Sequence, residues 1–422
     1  MKIRINSQFI KSLAVLASGS MLAQLIIIIA SPIMTRLYSP EQIGEYTLVL
    51  TVVGLFGSII CARYDLAIVS ESDEDNVISL CALSLVISFF SSIIISIAYL
   101  AYYFTKGFST KQSLFCCFCI FILLILQGLG NVLLSYNNRC REYKLMTSVN
   151  LIRAVAKEVV MVVGGLIYPS SSLLIVSEII GTTLGVRRQS KTLRTKIDGI
   201  KNIRVSKDNL KKVGLKHKKQ ALFSTPALFA NNFSYSSINL FIDSLFGTAA
   251  LGFYSISYRL LGLPLTIVSS NVSRIYFEEA SRATEKQGNY FHLFKRTVLV
   301  MVAIAIPMTV VLMAFAPPVC GFVFGKQYFI AGVYLRCLAP MFGVRFVISP
   351  LSVGLIISEK QHYDFAFQLA FVVLSVIAFI ITKVSNLMIE QYLIIISCLY
   401  SIVYVVFFFV LMTFARGEKT LR

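Results

Sequence analysis

Apolar residues gather into twelve stretches, near 11–34, 44–66, 77–104, 113–136, 144–168, 172–186, 221–246, 250–273, 291–315, 327–356, 364–382 and 389–414. A bilayer crossing takes about 20 predominantly apolar residues, so each stretch predicts one membrane helix. The breaks between them are short, except at 187–219, which is long and basic. Pro226, Pro264, Pro307 and Pro340 fall within the seventh to tenth stretches. Proline removes a backbone hydrogen bond inside a helix, so kinks are expected there, as is common where membrane helices surround a cavity.

Composition agrees with a lipid solvent. Apolar residues make up 57% of the 422-residue chain and charged residues 14%, with mean hydropathy +0.78. Soluble domains run near 45–50% apolar and about 25% charged. A soluble enzyme, a secreted disulfide scaffold and a single-anchor receptor are excluded, and no large domain outside the membrane fits the short breaks. The nine Cys are scattered, with Cys116, Cys117 and Cys119 inside one apolar stretch, and read as small packing residues. His217, His292 and His362 are read as lying in connecting segments, which argues against a metal site. The N-terminal apolar stretch is longer than a signal peptide's and reads as a retained first helix.

The net charge of +19 would suggest nucleic acid in a soluble protein. Here it reads as the positive-inside bias of a membrane protein, with no nucleic-acid partner. With the N-terminus inside and alternating crossings, 29 basic residues fall on the inner side and five (Arg36, Lys106, Lys111, Lys326, Lys383) on the outer. Both termini and the basic 187–219 segment are therefore expected in the cytoplasm. The expected organisation is an N-terminal six-helix bundle over 1–186, a basic linker over 187–219 and a C-terminal six-helix bundle over 220–422. Gly44-x-Tyr46 and Gly252-x-Tyr254, offset by 208 residues, reinforce a two-half reading. Each is expected in a tight connection, with the glycine turning the chain and the tyrosine at the membrane–water interface. Internal repeats of this kind are common in secondary transporters.

The stretch from Thr35 to Tyr46, continuing to Ala62-Arg63-Tyr64-Asp65, resembles the lipid-linked polysaccharide flippases of the multidrug/oligosaccharidyl-lipid/polysaccharide exporter superfamily. So do Thr225-Pro226, Asp243 to Gly247, Tyr258 to Pro264, and Phe324 through Pro340 to Ser352. Tyr328 stands where relatives often carry Trp, and Asp65 where Glu is more usual. The resemblance implies an all-α integral membrane protein of about twelve transmembrane helices in two six-helix bundles with a central cavity. It also implies a non-enzymatic transporter of the bacterial inner membrane, serving O-antigen, lipopolysaccharide or exopolysaccharide synthesis. Undecaprenyl-pyrophosphate-linked oligosaccharide would be flipped from the cytoplasmic to the periplasmic leaflet by alternating access coupled to an ion, with no cofactor. The bilayer and other polysaccharide assembly proteins are the expected partners.

Charges at bilayer depth cost at least ~2.5–3.5 kcal/mol, so they usually face a cavity or a partner. Arg153 and Lys157 share one helix face with Asn150, and Arg153 lies ~12 Å from the helix end. With Arg259 and Arg345 they suit a compact diphosphate, which arginine grips bidentately. Pairing of Arg153 and Lys157 with Glu158 or Glu178, of Arg259 with Asp243, and of Arg345 with carbonyls freed at Pro340 are the structural alternatives. Arg63 either meets the headgroup at the cytoplasmic mouth or extends to lipid phosphates. Asn232, Ser236, Asn239 and Asp243 form one polar helix face, suited to sugar hydroxyls or to interhelical hydrogen bonding. Tyr254 and Tyr258 suit stacking on sugar rings, or packing. Glu158, Glu178 and Asp243 are the candidates for ion coupling. The competing readings are a multidrug exporter of the same superfamily, a membrane polysaccharide polymerase or glycosyltransferase, and a non-transporting scaffold. Deep basic charges argue against cationic drugs, and the short outer connections offer no paired catalytic carboxylates.

Overall fold

The computed structural model describes residues 7–105, 109–199, 206–218 and 220–417. Lys106 and Lys201, and parts of the basic 187–219 segment, lie outside the described residues. The described chain is helical: α1 (Ser7–Leu37), α2 (Pro40–Gly57), α3 (Tyr64–Ser70), α4 (Glu74–Thr105), α5 (Thr110–Arg139), α6 (Tyr143–Ile167), α7 (Ser171–Gln189), α8 (Lys191–Gly199) and α9 (Lys207–Lys216). Then follow α10 (Thr225–Phe246), α11 (Thr248–Pro264), α12 (Ser270–Gln287), α13 (Phe291–Phe324), α14 (Phe329–Ile348), α15 (Gly354–Ile357), α16 (Gln361–Ser385) and α17 (Ile389–Ala415). Two compact units result, Met1–Asn232 and Phe233–Arg422.

The twelve apolar stretches each carry a long helix, with α11 and α12 joined through a π-helical turn at Leu265–Ser269. Among the described residues, seven helical spans are long and apolar enough to cross a membrane on length and composition. The others are informative in failing. Arg153, Lys157 and Glu158 interrupt α6, and Glu178, Arg187 and Arg188 interrupt α7. Those are the helices that line the polar cavity described below. The chain is thus an all-α integral membrane protein.

In the N-terminal unit α1 packs on α6, α6 on α7, α4 on α5, and α2 on both α5 and α7. The α4 seam is a stripe of four buried serines, Ser84, Ser88, Ser92 and Ser96, at helical spacing. Opposite it, a Cβ on Gly128 of α5 would collide with Ser88. Small residues allow such close backbone approach where lipid offers no hydrophobic drive.

Two expectations change at α2. The stretch 44–66 is not one helix: α2 stops at Gly57, and Ala62 and Arg63 take left-handed φ angles of 47° and 62° before α3 begins. Apolar residues continue through this break, so hydropathy could not mark it. Side-chain amides stabilise it: Asn131 donates to the Gly57 carbonyl (2.7 Å) and Asn232 to the Leu55 carbonyl (3.2 Å) and Ser58 Oγ (2.6 Å). Freed backbone groups inside a membrane protein need such partners. Likewise Gly44 and Gly252 lie within helices, not in connections. Ser39, with a capping box to Gln42, and Gly247, at φ 86°, make the turns instead. Tyr46 and Tyr254 are buried inside their units rather than placed at an interface.

The segment 187–219, expected as a linker, holds the end of α7 together with α8 and α9. Helix α9 docks beside α4, with Val213 buried and Tyr64 donating to the Gly214 carbonyl. Buried Glu71 receives Lys216 Nζ at 2.5 Å and lies 3.0 Å from His217 Nε2. Those two hydrogen bonds hold the Glu71 carboxyl down at about 2, below its ordinary 4.5. A depressed carboxyl stabilises docking above its ordinary value, and that contribution is lost only as pH falls towards 2. A spin label at exposed Lys211 should therefore stay immobile from pH 8 to pH 4. In a Glu71→Gln protein it should be mobile throughout that range; equal immobility would disprove the anchoring role.

In the C-terminal unit α14 is the central helix, packing on α13, α11 and α17. Pro307, Pro317 and Pro318 lie within α13 and Pro340 within α14. Pro264 ends α11 at the π turn, and Pro226 follows another π turn at Gln220–Ser224.

Candidate substrate site

The N-terminal unit contains a polar cavity of about 300 Å³, walled by Ala23 and Ile27 of α1, Gln127 of α5, and residues of α6 and α7. Asn150, Arg153 and Lys157 all line it, at the successive turns of α6 that the helical period predicts. Glu178, Gly181 and Thr182 face them from α7. The two helices approach closely because α7 is glycine there. A Cβ at Gly185 would collide with the Arg153 side chain, and one at Gly181 would stand 2.9 Å from the Arg153 carbonyl. Any larger residue at either position would push the cations off their wall.

The two cations differ in their surroundings. Lys157 Nζ is 2.9 Å from Glu178 and 4.0 Å from buried Glu158, and Tyr46 donates to Glu178 at 2.6 Å. Lys157 therefore belongs to a neutralised cluster, as the pairing alternative anticipated. Arg153 donates from Nη2 to Gln189 Oε1 at 3.4 Å, and its buried Nε has no partner among the described residues. Among those residues no carboxylate lies within ion-pair distance of Arg153. It is the cation of this cavity with capacity left for an anion. Gln127, Gln189 and Tyr46 complete the site, and none was singled out as a site residue from sequence. Gln127 and Asn131 were the available signal, two amides one turn apart in an otherwise apolar helix.

The remaining candidates are elsewhere. Arg63 stands at the N-cap position of α3 in a left-handed conformation, half-buried, with no side-chain capping bond and no partner for its Nε among the described residues. Asn232 is engaged at the α2 break, the interhelical alternative to sugar binding. Within the C-terminal unit, the Arg345 guanidinium stacks 4.2 Å from the Tyr235 ring and 5.5 Å from Phe342. Its Nη1 donates to Tyr258 Oη at 3.4 Å, and Tyr235 shares a 2.7 Å hydrogen bond with Tyr404. Among the described residues, the Tyr235 and Phe342 rings and the Tyr258 hydroxyl, rather than carbonyls freed at Pro340, thus surround Arg345. Tyr254 packs against Tyr258 at 5.9 Å and is fully buried. Arg259 follows Tyr258 by one residue, about 100° around α11, so the two point to different faces. Asp243, also buried, accepts from Thr248 Oγ1 at 2.9 Å across the α10–α11 turn. Asn239 is half-buried on α10.

The fold is that of the MOP-superfamily transporters. The lipid II flippase MurJ in an inward closed conformation matches with TM-score 0.71 at 14% identity, over 94% of this chain and 86% of that chain. An inward-facing multidrug resistance MATE transporter matches with TM-score 0.69 at 15% identity, over 97% of this chain and 99% of that one. A MOP-superfamily transporter from Pyrococcus furiosus, described as having a binding pocket of reversed polarity, matches with TM-score 0.58 at 13% identity over 97% of each chain. No curated protein sequence matches this chain. The family model for polysaccharide biosynthesis proteins matches residues 33–331, and the chain belongs to that family.

Proposed function

We propose that the protein flips an undecaprenyl-pyrophosphate-linked oligosaccharide from the cytoplasmic to the periplasmic leaflet by alternating access. It lies in the bacterial inner membrane with both termini in the cytoplasm, an orientation the 29-to-five bias of basic residues supports. The observation that carries the reading is Arg153, a cation in a polar cavity at membrane depth with no carboxylate within ion-pair distance among the described residues. A diphosphate supplies that partner, since charge-assisted hydrogen bonds to arginine are bidentate and strong. Membership of the polysaccharide biosynthesis family favours a glycan cargo over a drug. Arg345 and Arg259 in the C-terminal unit are further candidate anion contacts, and Arg63 a candidate headgroup contact. Tyr254, Tyr258 and Asn239 are weaker candidates for the sugar, because Tyr254 is already packed away. The Tyr46–Glu178–Lys157 cluster is the best candidate for ion coupling, ahead of Glu158 and Asp243. A carboxylate hydrogen-bonded to a phenol and paired with an ammonium changes its partners on taking up a proton.

Liposomes reconstituted with the full-length protein and fluorescent lipid-linked oligosaccharides test this. Crossing of a diphosphate-linked lipid at least tenfold faster than of its monophosphate counterpart is expected. Equal rates, or movement of cationic drugs alone, would overturn the reading.

A further inference from the structure

A second cavity, of about 250 Å³, lies in the C-terminal unit between α12 and α13. It plays no part in the proposed transport path. Its walls combine two opposite charges, Glu279 of α12 and Arg296 of α13, with Thr297, Tyr276 and apolar residues that include Ile275 and Val300. Glu279 and Arg296 line one cavity without forming an ion pair, although Glu278, on the same helix, pairs with Arg282 at 2.7 Å. Tyr276 is 2% exposed, and its hydroxyl has no hydrogen-bond partner among the described residues. That hydroxyl is itself enclosed by protein, so Tyr276 meets the cavity with its ring and not with its oxygen.

The position of the cavity says what fills it. On both helices it straddles the change from charged to apolar sequence. In α12, Arg274, Glu278, Glu279 and Arg282 alternate with the exposed Ile275 and Phe277. In α13, Lys295 and Arg296 give way to an apolar run beginning at Thr297, where Leu299 and Val300 are exposed. A helix pair with that pattern sits at the membrane–water boundary, where phospholipid headgroups lie.

We propose that this cavity binds the headgroup of a zwitterionic aminophospholipid, phosphatidylethanolamine. Arg296 and Thr297 receive the phosphate, Glu279 receives the ammonium, and the exposed Ile275 and Val300 flank the acyl chains. Charge complementarity selects the headgroup. An anionic glycerol headgroup would leave Glu279 beside a phosphate with no positive group between them. A choline headgroup places a cation there but has no N–H to donate to the carboxylate. Two opposite charges held apart in one cavity match a molecule that carries both.

The test uses the full-length protein, delipidated in detergent, and native mass spectrometry after adding equal amounts of dioleoyl phosphatidylethanolamine, phosphatidylcholine and phosphatidylglycerol. The wild-type protein should retain phosphatidylethanolamine about tenfold over either competitor. Arg296→Gln should abolish that retention. Glu279→Gln should remove the preference over phosphatidylglycerol, and Glu279→Asp should restore part of it. Glu279 and Arg296 are both exposed, so their replacement leaves folding intact, which the thermal midpoint verifies. Equal retention of the three lipids, preference for phosphatidylglycerol, or an unchanged preference in Glu279→Gln would each overturn the assignment. Because transport is not the readout, failure here leaves the flippase reading standing, and the converse holds too.

Discussion

Replacing Arg153 with glutamine is expected to slow crossing of a diphosphate-linked oligosaccharide ten- to a hundredfold while leaving membrane abundance unchanged. Glutamine keeps some length and hydrogen bonding and loses only the charge. A hydrogen bond to a charged group contributes about 1.5–3 kcal/mol, which is the origin of the expected factor. Folding should tolerate the change, because Arg153 makes one 3.4 Å hydrogen bond to Gln189 and pairs with no carboxylate among the described residues. Lysine at this position should recover part of the rate, since the charge returns without the planar fork. Measuring abundance and leaflet crossing on the same preparation separates a binding role from a folding one. Full-rate crossing by Arg153→Gln at normal abundance would remove Arg153 from the site.

Glu178→Leu should behave in the opposite way and lower stability first. It takes from Lys157 its 2.9 Å partner and from Tyr46 the acceptor of a 2.6 Å hydrogen bond. Breaking a buried ion pair costs about 3–5 kcal/mol. The Lys157 and Glu178 side chains are 16% and 24% exposed to the cavity, which lowers the expectation to roughly 2–3 kcal/mol. Lys157→Met should cost a similar amount, and the double variant should regain most of the loss, because an apolar pair of similar volume replaces the ion pair. Thermal unfolding in detergent measures the cycle. If the ion-coupling proposal is right, the rescued double variant folds yet loses its response to an imposed ion gradient. Additive losses in the cycle would show that the two residues do not act as a pair.

The difference between these two cations was not readable from the chain. Helical periodicity is local, so it correctly aligned Asn150, Arg153 and Lys157 on one wall. Which helix opposes that wall is a tertiary matter, and only packing reveals that Glu178 ion-pairs with Lys157 while attracting Arg153 from a longer distance. The same limit applies at Arg345, whose neighbours Tyr235, Tyr258 and Phe342 come from three helices. Hydropathy located the long helices of the described residues because a bilayer crossing demands about 20 mostly apolar residues. It overlooked the α2 break because the residues through 58–62 remain mostly apolar, and the break depends on amides from α5 and α10 far away in sequence. The Gly-x-Tyr repeat was misplaced by a few residues for a related reason. Ser39 and Gly247 turn the chain, and the tyrosines two to three turns later point inward.

The serine stripe along α4 has a thermodynamic consequence. Heat-capacity change on separating two surfaces comes chiefly from hydrocarbon exposed to water, at about 0.45 cal/K/mol per Å². Ser84, Ser88, Ser92 and Ser96 offer hydroxymethyl groups, and Gly128 opposite offers none. Contact between α4 and α5 at this stripe therefore draws on close van der Waals approach, with little hydrocarbon area of its own. Because α4 and α5 part into lipid and not into water, no such hydrocarbon exposure arises, and the strength of the seam should vary almost linearly with temperature. The seam would loosen no faster on cooling than on warming.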